Sequence, residues 1–217
     1  MSEKTLKYQG RDIQVQYDVK RCIHAAECVN GLPSVFDPNA KPWVDADGAS
    51  AADVARVIMR CPSGALHYAP EDEALREPVP AENNVRVEAD GPLYMRGDIE
   101  IRMPDGTTVL KDTRVALCRC GASKNKPFCD NSHGKAGFND PGILGEGGLK
   151  TTDTEQPGLR VVPALDGPFL LTGMVSLCST DGETVVNFNK AALCRCGGSS
   201  NKPFCDGTHK RIGFKSA

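Results

Sequence analysis

The sequence is short of several things, and each shortage removes a class of function. Its 217 residues carry 26 Lys and Arg against 28 Asp and Glu, for a net charge of -2. No basic excess is available to neutralise phosphates, so nucleic acid and anionic membrane surfaces are not expected partners. No run of 18 apolar residues occurs, and the polar segment 1–18 holds no apolar stretch of the kind that signals export. Neither a membrane span nor secretion is therefore expected. A phosphate-binding glycine loop, a dinucleotide fingerprint, a Ser–His–Asp arrangement and paired catalytic carboxylates are also missing, so a free-standing enzyme is not expected.

What is present is cysteine. The chain has 10, and without an export signal the expected compartment is the cytoplasm, where thiols stay reduced rather than pairing as disulfides. Six of them sit in two copies of one pattern. The first runs Cys118, Arg119, Cys120, then eight residues, then Cys129 and, four further on, His133; the second repeats it as Cys194, Arg195, Cys196, Cys205 and His209. The offset between copies is 76 residues without a gap, from Asp90/Asp166 to Phe138/Phe214, and about half of the positions in that window are identical. Such agreement marks a tandem duplication. Each copy offers three thiolates and one imidazole, a complete set for a soft, four-coordinate metal centre.

The pattern of elements predicts an α+β chain. Residues 1–70 read as a small N-terminal domain. Ile13, Val15 and Tyr17 alternate with polar residues beyond a turn at Gly10. Ser50 opens a helix as its cap, Val54, Val57 and Ile58 recur at helical spacing, and Cys61-Pro62 ends it. Residues 71–84, charged and proline-bearing, read as a linker. The remainder is mostly strand: a first repeat over 85–139, an exposed Gly/Pro/Thr-rich tether over 140–158 and a second repeat over 159–217. Hairpins are expected around Asp105-Gly106 and Asp181-Gly182. A short helical turn is expected after each ligand histidine, with Asp130 and Asp206 suited to its N-terminal end.

The second copy, Cys194-x-Cys196 followed by Ser199, Pro203 and Cys205-Asp206-Gly207-Thr208-His209, resembles the CDGSH iron–sulfur domain, the group that includes mitoNEET. The first copy departs from it only by Asn131 in the Gly position, and Asn tolerates the left-handed backbone that Gly allows there. The resemblance covers about 85–217. It implies a [2Fe–2S] cluster in each copy, Cys118 and Cys120 on one iron and Cys129 and His133 on the other, with Cys194, Cys196, Cys205 and His209 doing the same in the second. It also implies electron transfer, cluster transfer to an apo iron–sulfur acceptor, or both, with a redox protein as the alternative partner. Related single-motif proteins are homodimers, so one chain with two copies is expected to be a monomer with an internal pseudo-dimer, its β hairpins forming a cap and its ligand loops holding the clusters. Ser123 and Ser199 are expected to donate to cluster sulfur. Arg119, Arg195, Lys126 and Lys202 are expected either to form a solvated positive rim or to dock a partner. The competing reading of the ligand set is a zinc-stabilised binding module.

Three more cysteines form a second pattern, Cys22-Ile23-His24-Ala25-Ala26-Glu27-Cys28 with a distant Cys61-Pro62. It resembles the divergent single-cluster ferredoxin domain over about residues 5–70, with Ala25 where bacterial ferredoxins carry a middle cysteine. Three thiolates suffice for a [3Fe–4S] cluster; a [4Fe–4S] cluster needs a fourth ligand, for which His24 is the nearest residue. His24 as a surface residue, and a domain that keeps its packing without a cluster, stay open beside this. His67 is expected not to be a ligand, and Cys178, aligned with Arg102, reads as a strand residue.

Overall fold

In the computed structural model, which describes residues 5–151 and 158–216, the chain divides into two units, Met1–Pro78 and Val79–Ala217. In the first, β1 (Thr5–Gln9) and β2 (Ile13–Asp18) form an antiparallel hairpin closed at Gly10, whose N–H donates to the Ile13 carbonyl at 2.9 Å. Ile13 and Val15 point into the core, as their alternation requires. A third strand, β3 (Leu66–Pro70), pairs antiparallel with β2. The sequence reading did not identify β3, because the run is five residues long and closes on a proline. Helix α1 (Glu27–Gly31) follows the first cysteine loop, and α2 (Ala51–Ile58) starts where Ser50 Oγ accepts from the Asp53 N–H at 3.2 Å. Val54, Ala55, Val57 and Ile58 of α2 close over Ile13, Val15, Phe36 and Leu66. Residues 71–78 are not a free linker. They hold a 3-10 turn, Glu73–Leu75, and the Glu77 carboxylate meets His67 Nδ1 at 2.9 Å.

The second unit is built on the duplication. Strands β4 (Asn84–Val87), β5 (Leu93–Arg102) and β6 (Thr108–Leu117) lead to a helical turn, α3 (Ser132–Lys135). After β7 (Leu149–Lys150), the second copy repeats the order as β8 (Leu159–Pro163), β9 (Phe169–Cys178), β10 (Val185–Leu193) and α4 (Thr208–Arg211). β5 with β6 and β9 with β10 are the two hairpins. The copies exchange strands. β4 pairs antiparallel with the first half of β5 and parallel with the end of β9, while β8 pairs antiparallel with the first half of β9 and parallel with the end of β5. These four pairings close a ring with pseudo-two-fold symmetry, whose inward residues (Val85, Met95, Ile99, Val161, Leu171, Leu177 and their neighbours) make one core.

Residues 140–151 are mostly exposed, as expected of a tether, but they are anchored to the fold. Asp140 is buried, Leu144 and Leu149 pack against that core, and β7 pairs with β10. Residues 152–157 of the expected tether lie outside the described residues. No helix among the described residues is long and apolar enough to cross a membrane.

β5 and β9 each change partner at a glycine. Gly97 (φ +152°) and Gly173 (φ +113°) stand at the crossover, where an added Cβ would lie 2.2 Å from Asn83 Oδ1 and 2.0 Å from the Gly158 carbonyl oxygen. Gly173 meets backbone, which has no rotamer with which to yield. Gly173→Ala should therefore lower the unfolding free energy by about 2 kcal/mol or more, measured as a fall in the urea midpoint.

Candidate metal centres

Each hairpin delivers its last strand into a ligand loop. β6 ends at Leu117, immediately before Cys118, and the Cys118 N–H donates to the Pro127 carbonyl at 3.0 Å; Cys194 repeats this to Pro203 at 2.7 Å. The loops are held by side chains aimed inward. Asp130 accepts from the Lys124 N–H at 2.8 Å and the Ser132 N–H at 3.0 Å, and Asp206 accepts from Ser200 and Thr208 N–H groups at 2.9 Å each. These bonds pull the Asp206 carboxyl well below the usual carboxylate range. Asn131 (φ 68°) and Gly207 (φ 83°) both take the left-handed conformation that starts the turn carrying the histidine.

The donors meet in pairs. Cys118 and Cys120 sulfurs are 3.6 Å apart, and Cys194 and Cys196 are 3.7 Å apart. Cys129 Sγ lies 3.6 Å from His133 Nδ1, and Cys205 Sγ lies 3.4 Å from His209 Nδ1. A tetrahedral metal with bonds of about 2.3 Å to sulfur and about 2.0 Å to nitrogen spaces two sulfurs by about 3.7 Å and a sulfur and a nitrogen by about 3.5 Å. All four pairs therefore fit two ligands on one metal. Among the described residues, no three His, Cys, Asp or Glu side chains form a group that could hold a single ion.

Burial pushes the Cys129 and Cys196 thiols up to about 11 and raises Cys205, and the bond shared by Cys118 and Cys120 lowers the first while raising the second. Three thiolates do not coexist so close together without a cation. Burial also lowers the His133 pKa from its ordinary value, which keeps the imidazole neutral at pH 7 and able to bind a metal.

In the first unit, Cys22, Cys28 and Cys61 line one cavity of about 690 Å³, together with His24, Trp43, Pro62 and Ser63. The loop between the first two takes left-handed backbone at His24 (φ 54°) and Ala26 (φ 61°), which wraps it around the cavity. Burial raises the Cys28 thiol. His24 is exposed at the rim, whereas His67 is held by Glu77. Glu27 opens α1 and pairs with Arg60 at 2.7 Å, and Cys178 accepts from Asn84 Nδ2 at 3.3 Å.

A family model described as a divergent 4Fe-4S mono-cluster matches residues 8–71, and one described as an iron-binding zinc finger of CDGSH type matches 90–134 and 166–210. The chain is a CDGSH iron-binding protein with a divergent mono-cluster domain at its N-terminus. It is an iron–sulfur protein. The N-terminal domain is also similar to the protein YjdI of Escherichia coli strain K12 and of strain O157:H7, 41% identical over 61 residues that span 28% of this chain and 80% of the relative. No solved structure matches at a significant level.

The surroundings of the CDGSH ligands differ from the sequence expectation in three ways. Arg119 and Arg195 are not a solvated rim, being 2% and 4% exposed. Arg119 donates to the Gly91 and Glu88 carbonyls and to Asp140 Oδ1 at 2.6 Å, and its guanidinium lies over Phe138 at 4.9 Å. Arg195 donates to the Ala164 carbonyl at 3.0 Å and lies between Phe169 and Phe214. Ser123 and Ser199 spend their single hydroxyl proton on the Phe128 and Phe204 carbonyls, both at 2.7 Å, so they brace the loop and donate to no cluster sulfur. Lys126 and Lys202 each donate to a carbonyl of their own loop, Ser123 at 2.7 Å and Ser199 at 2.6 Å. Sequence spacing carries no signal for any of these contacts, because each is made across the fold or back onto the loop. Asp140→Ala strands the buried Arg119 charge and should cost about 3–5 kcal/mol of stability, measured by urea unfolding with iron content monitored in parallel.

Proposed function

We propose that this protein carries electrons, clusters or both, through two [2Fe–2S] centres, with a further cluster in the N-terminal domain. The observation that supports the reading best is the grouping of the CDGSH donors as two pairs per copy, each at the spacing of two ligands on one metal. Cys118 and Cys120 would hold one iron and Cys129 and His133 the other; Cys194 with Cys196 and Cys205 with His209 would do so in the second copy. A single zinc would draw all four donors together, so the paired arrangement favours two irons. A bound [2Fe–2S] cluster supplies a one-electron couple, and one imidazole in place of a thiolate leaves it less negative. Its potential belongs between all-cysteine clusters at about -400 mV and two-histidine centres at about -150 to +300 mV.

Cys22, Cys28 and Cys61 would hold a [3Fe–4S] cluster in the N-terminal cavity, or a [4Fe–4S] cluster if His24 turns inward as the fourth ligand. The partners would be a redox protein or an apo iron–sulfur acceptor, with no nucleic acid or membrane involved. The chain would act as a monomer, its two copies standing for the protomers of a dimer. A reducing compartment, the cytoplasm, suits ten cysteines that form no disulfide. The role proposed is that of a carrier rather than an enzyme, because the grouped thiols and imidazoles are placed to hold metal.

Protein purified without oxygen should be brown and contain iron and acid-labile sulfide. Its [2Fe–2S] centres should give paramagnetic resonance only when reduced, and a [3Fe–4S] centre should do so when oxidised. Zinc near one per repeat without sulfide would overturn the reading. The histidines add a pH dependence. Protons compete with iron for imidazole, and burial lowers the His133 pKa, so acid is needed to displace it. Cluster loss, followed by visible absorbance, should accelerate from about pH 8 to about pH 5.5. His133→Cys and His209→Cys should each remove that acceleration at their own centre.

A further inference from the structure

The pseudo-symmetry of the second unit fails at a buried carboxylate. Residues 140 and 216 are equivalent by the 76-residue offset, and both are tied to equivalent aspartates: the Asp140 N–H donates to Asp90 Oδ1 at 2.6 Å, and the Ser216 N–H donates to Asp166 Oδ1 at 2.8 Å. In the first copy the side chain at this place is a buried carboxylate. Asp140 accepts from Arg119 at 2.6 Å and from the Gly142 N–H at 3.0 Å, and Lys202, reaching across from the second copy, stands 3.9 Å from its other oxygen. One carboxylate thus sits between two cations drawn from different repeats.

In the second copy the same two cations are present as Arg195 and Lys126, but Ser216 replaces the acid. Its hydroxyl turns away and donates to Asp166 Oδ1 at 3.1 Å, whose carboxylate is also bound by Lys215 at 2.8 Å. Where the Asp140–Lys202 contact stands in one copy, the other has a cavity of about 330 Å³, lined by Ala122, Ser123, Lys124, Lys126 and Ser216. Lys126 spends one ammonium proton on the Ser123 carbonyl, as Lys202 does on Ser199, which leaves donors for a guest. Lys124, which stands where the second copy has Ser200, adds a cation.

We propose that this cavity binds a small molecule bearing a carboxylate or phosphate, its anionic group taking the place beside Lys126 that Asp140 fills beside Lys202. The first copy supplies its own anion; the second takes one from solution. The volume exceeds what a single carboxylate needs, so a polyatomic ligand fits. An anion there would lie against residues 122–126 of the first ligand loop. The site rests on the charge arrangement and not on which cluster the loop holds.

The test is calorimetric titration of inorganic phosphate and, separately, citrate into oxygen-free holoprotein at low ionic strength. Saturable binding of at least one, with one site per chain, is expected. Lys126→Gln should weaken it by about tenfold or more, the loss of one charge-assisted contact. Ser216→Asp should abolish it by filling the site, a substitution the fold tolerates by the precedent of Asp140 beside Asp90. Lys202→Gln, whose partner is already Asp140, should leave it within about twofold. The visible spectrum of each variant reports whether the metal centres survive. Absence of saturable binding, wild-type binding in both Lys126→Gln and Ser216→Asp, or equal weakening by Lys202→Gln would each overturn the proposal. Should Ser216→Asp fail to fold, the two lysine variants decide it.

Discussion

The two ligand loops meet backbone to backbone, and the rest of the second unit is arranged around that meeting. Cys120 and Cys196 form an antiparallel bridge, and each is followed by a glycine with positive φ, Gly121 at +81° and Gly197 at +78°. A Cβ on either would lie within 2.7 Å of the other copy's cysteine carbonyl. No other residue allows the loops this close. Contact at that point demands that β6 and β10 end side by side, and the strand exchange of β4 and β8 achieves it by closing a ring about the pseudo-two-fold axis. Two metal centres in one chain are consequently parts of one framework, with one core beneath both.

That framework holds the donors where a metal needs them. The Asp130 and Asp206 carboxylates and the Ser123 and Ser199 hydroxyls bond mainly the loops' own backbone, which leaves the thiols and imidazoles as the groups gathered for a metal. Burial opposes thiolate formation at Cys129, Cys196 and Cys205, so the folded loop waits for a cation rather than filling its needs internally. The buried arginines contribute through different means in the two copies. Arg119 is neutralised by Asp140, a pair whose desolvation is offset by three further hydrogen bonds and an aromatic face. Arg195 keeps its charge between two phenylalanines, and burial lowers its pKa. The same ligand set therefore sits in unequal electrostatic surroundings in the two copies.

The ligand pattern was legible because metal coordination fixes residue type and spacing within a short stretch. Local backbone was legible too: Asn131 in a left-handed position, Asp130 and Asp206 over the helical turn and Ser50 as a cap all act within a few residues of their partners. Less could be read where a residue's role is set by a distant partner. Arg119 between two cysteines looks like surface charge until Gly91, Glu88 and Asp140 close around it. Ser123 looks free to reach a cluster until the loop brings the Phe128 carbonyl to its hydroxyl. β3 was hidden by its length and its proline, and Leu144 and Leu149 looked like tether because nothing local reveals a core to receive them.

The sequence by itself therefore determined the duplication, the donor types, their order and the α+β class, since each of these is written in residue type, spacing and alternation along the chain, without reference to what packs against it. Tertiary structure alone decided which strands exchange, which charges are buried and what the Asp140 carboxylate meets. Those outcomes depend on contacts between residues up to about ninety positions apart, such as Asn83 with Met174, and chain separation of that order leaves no periodic trace, because the partners are selected by packing and by the need to satisfy buried polar groups.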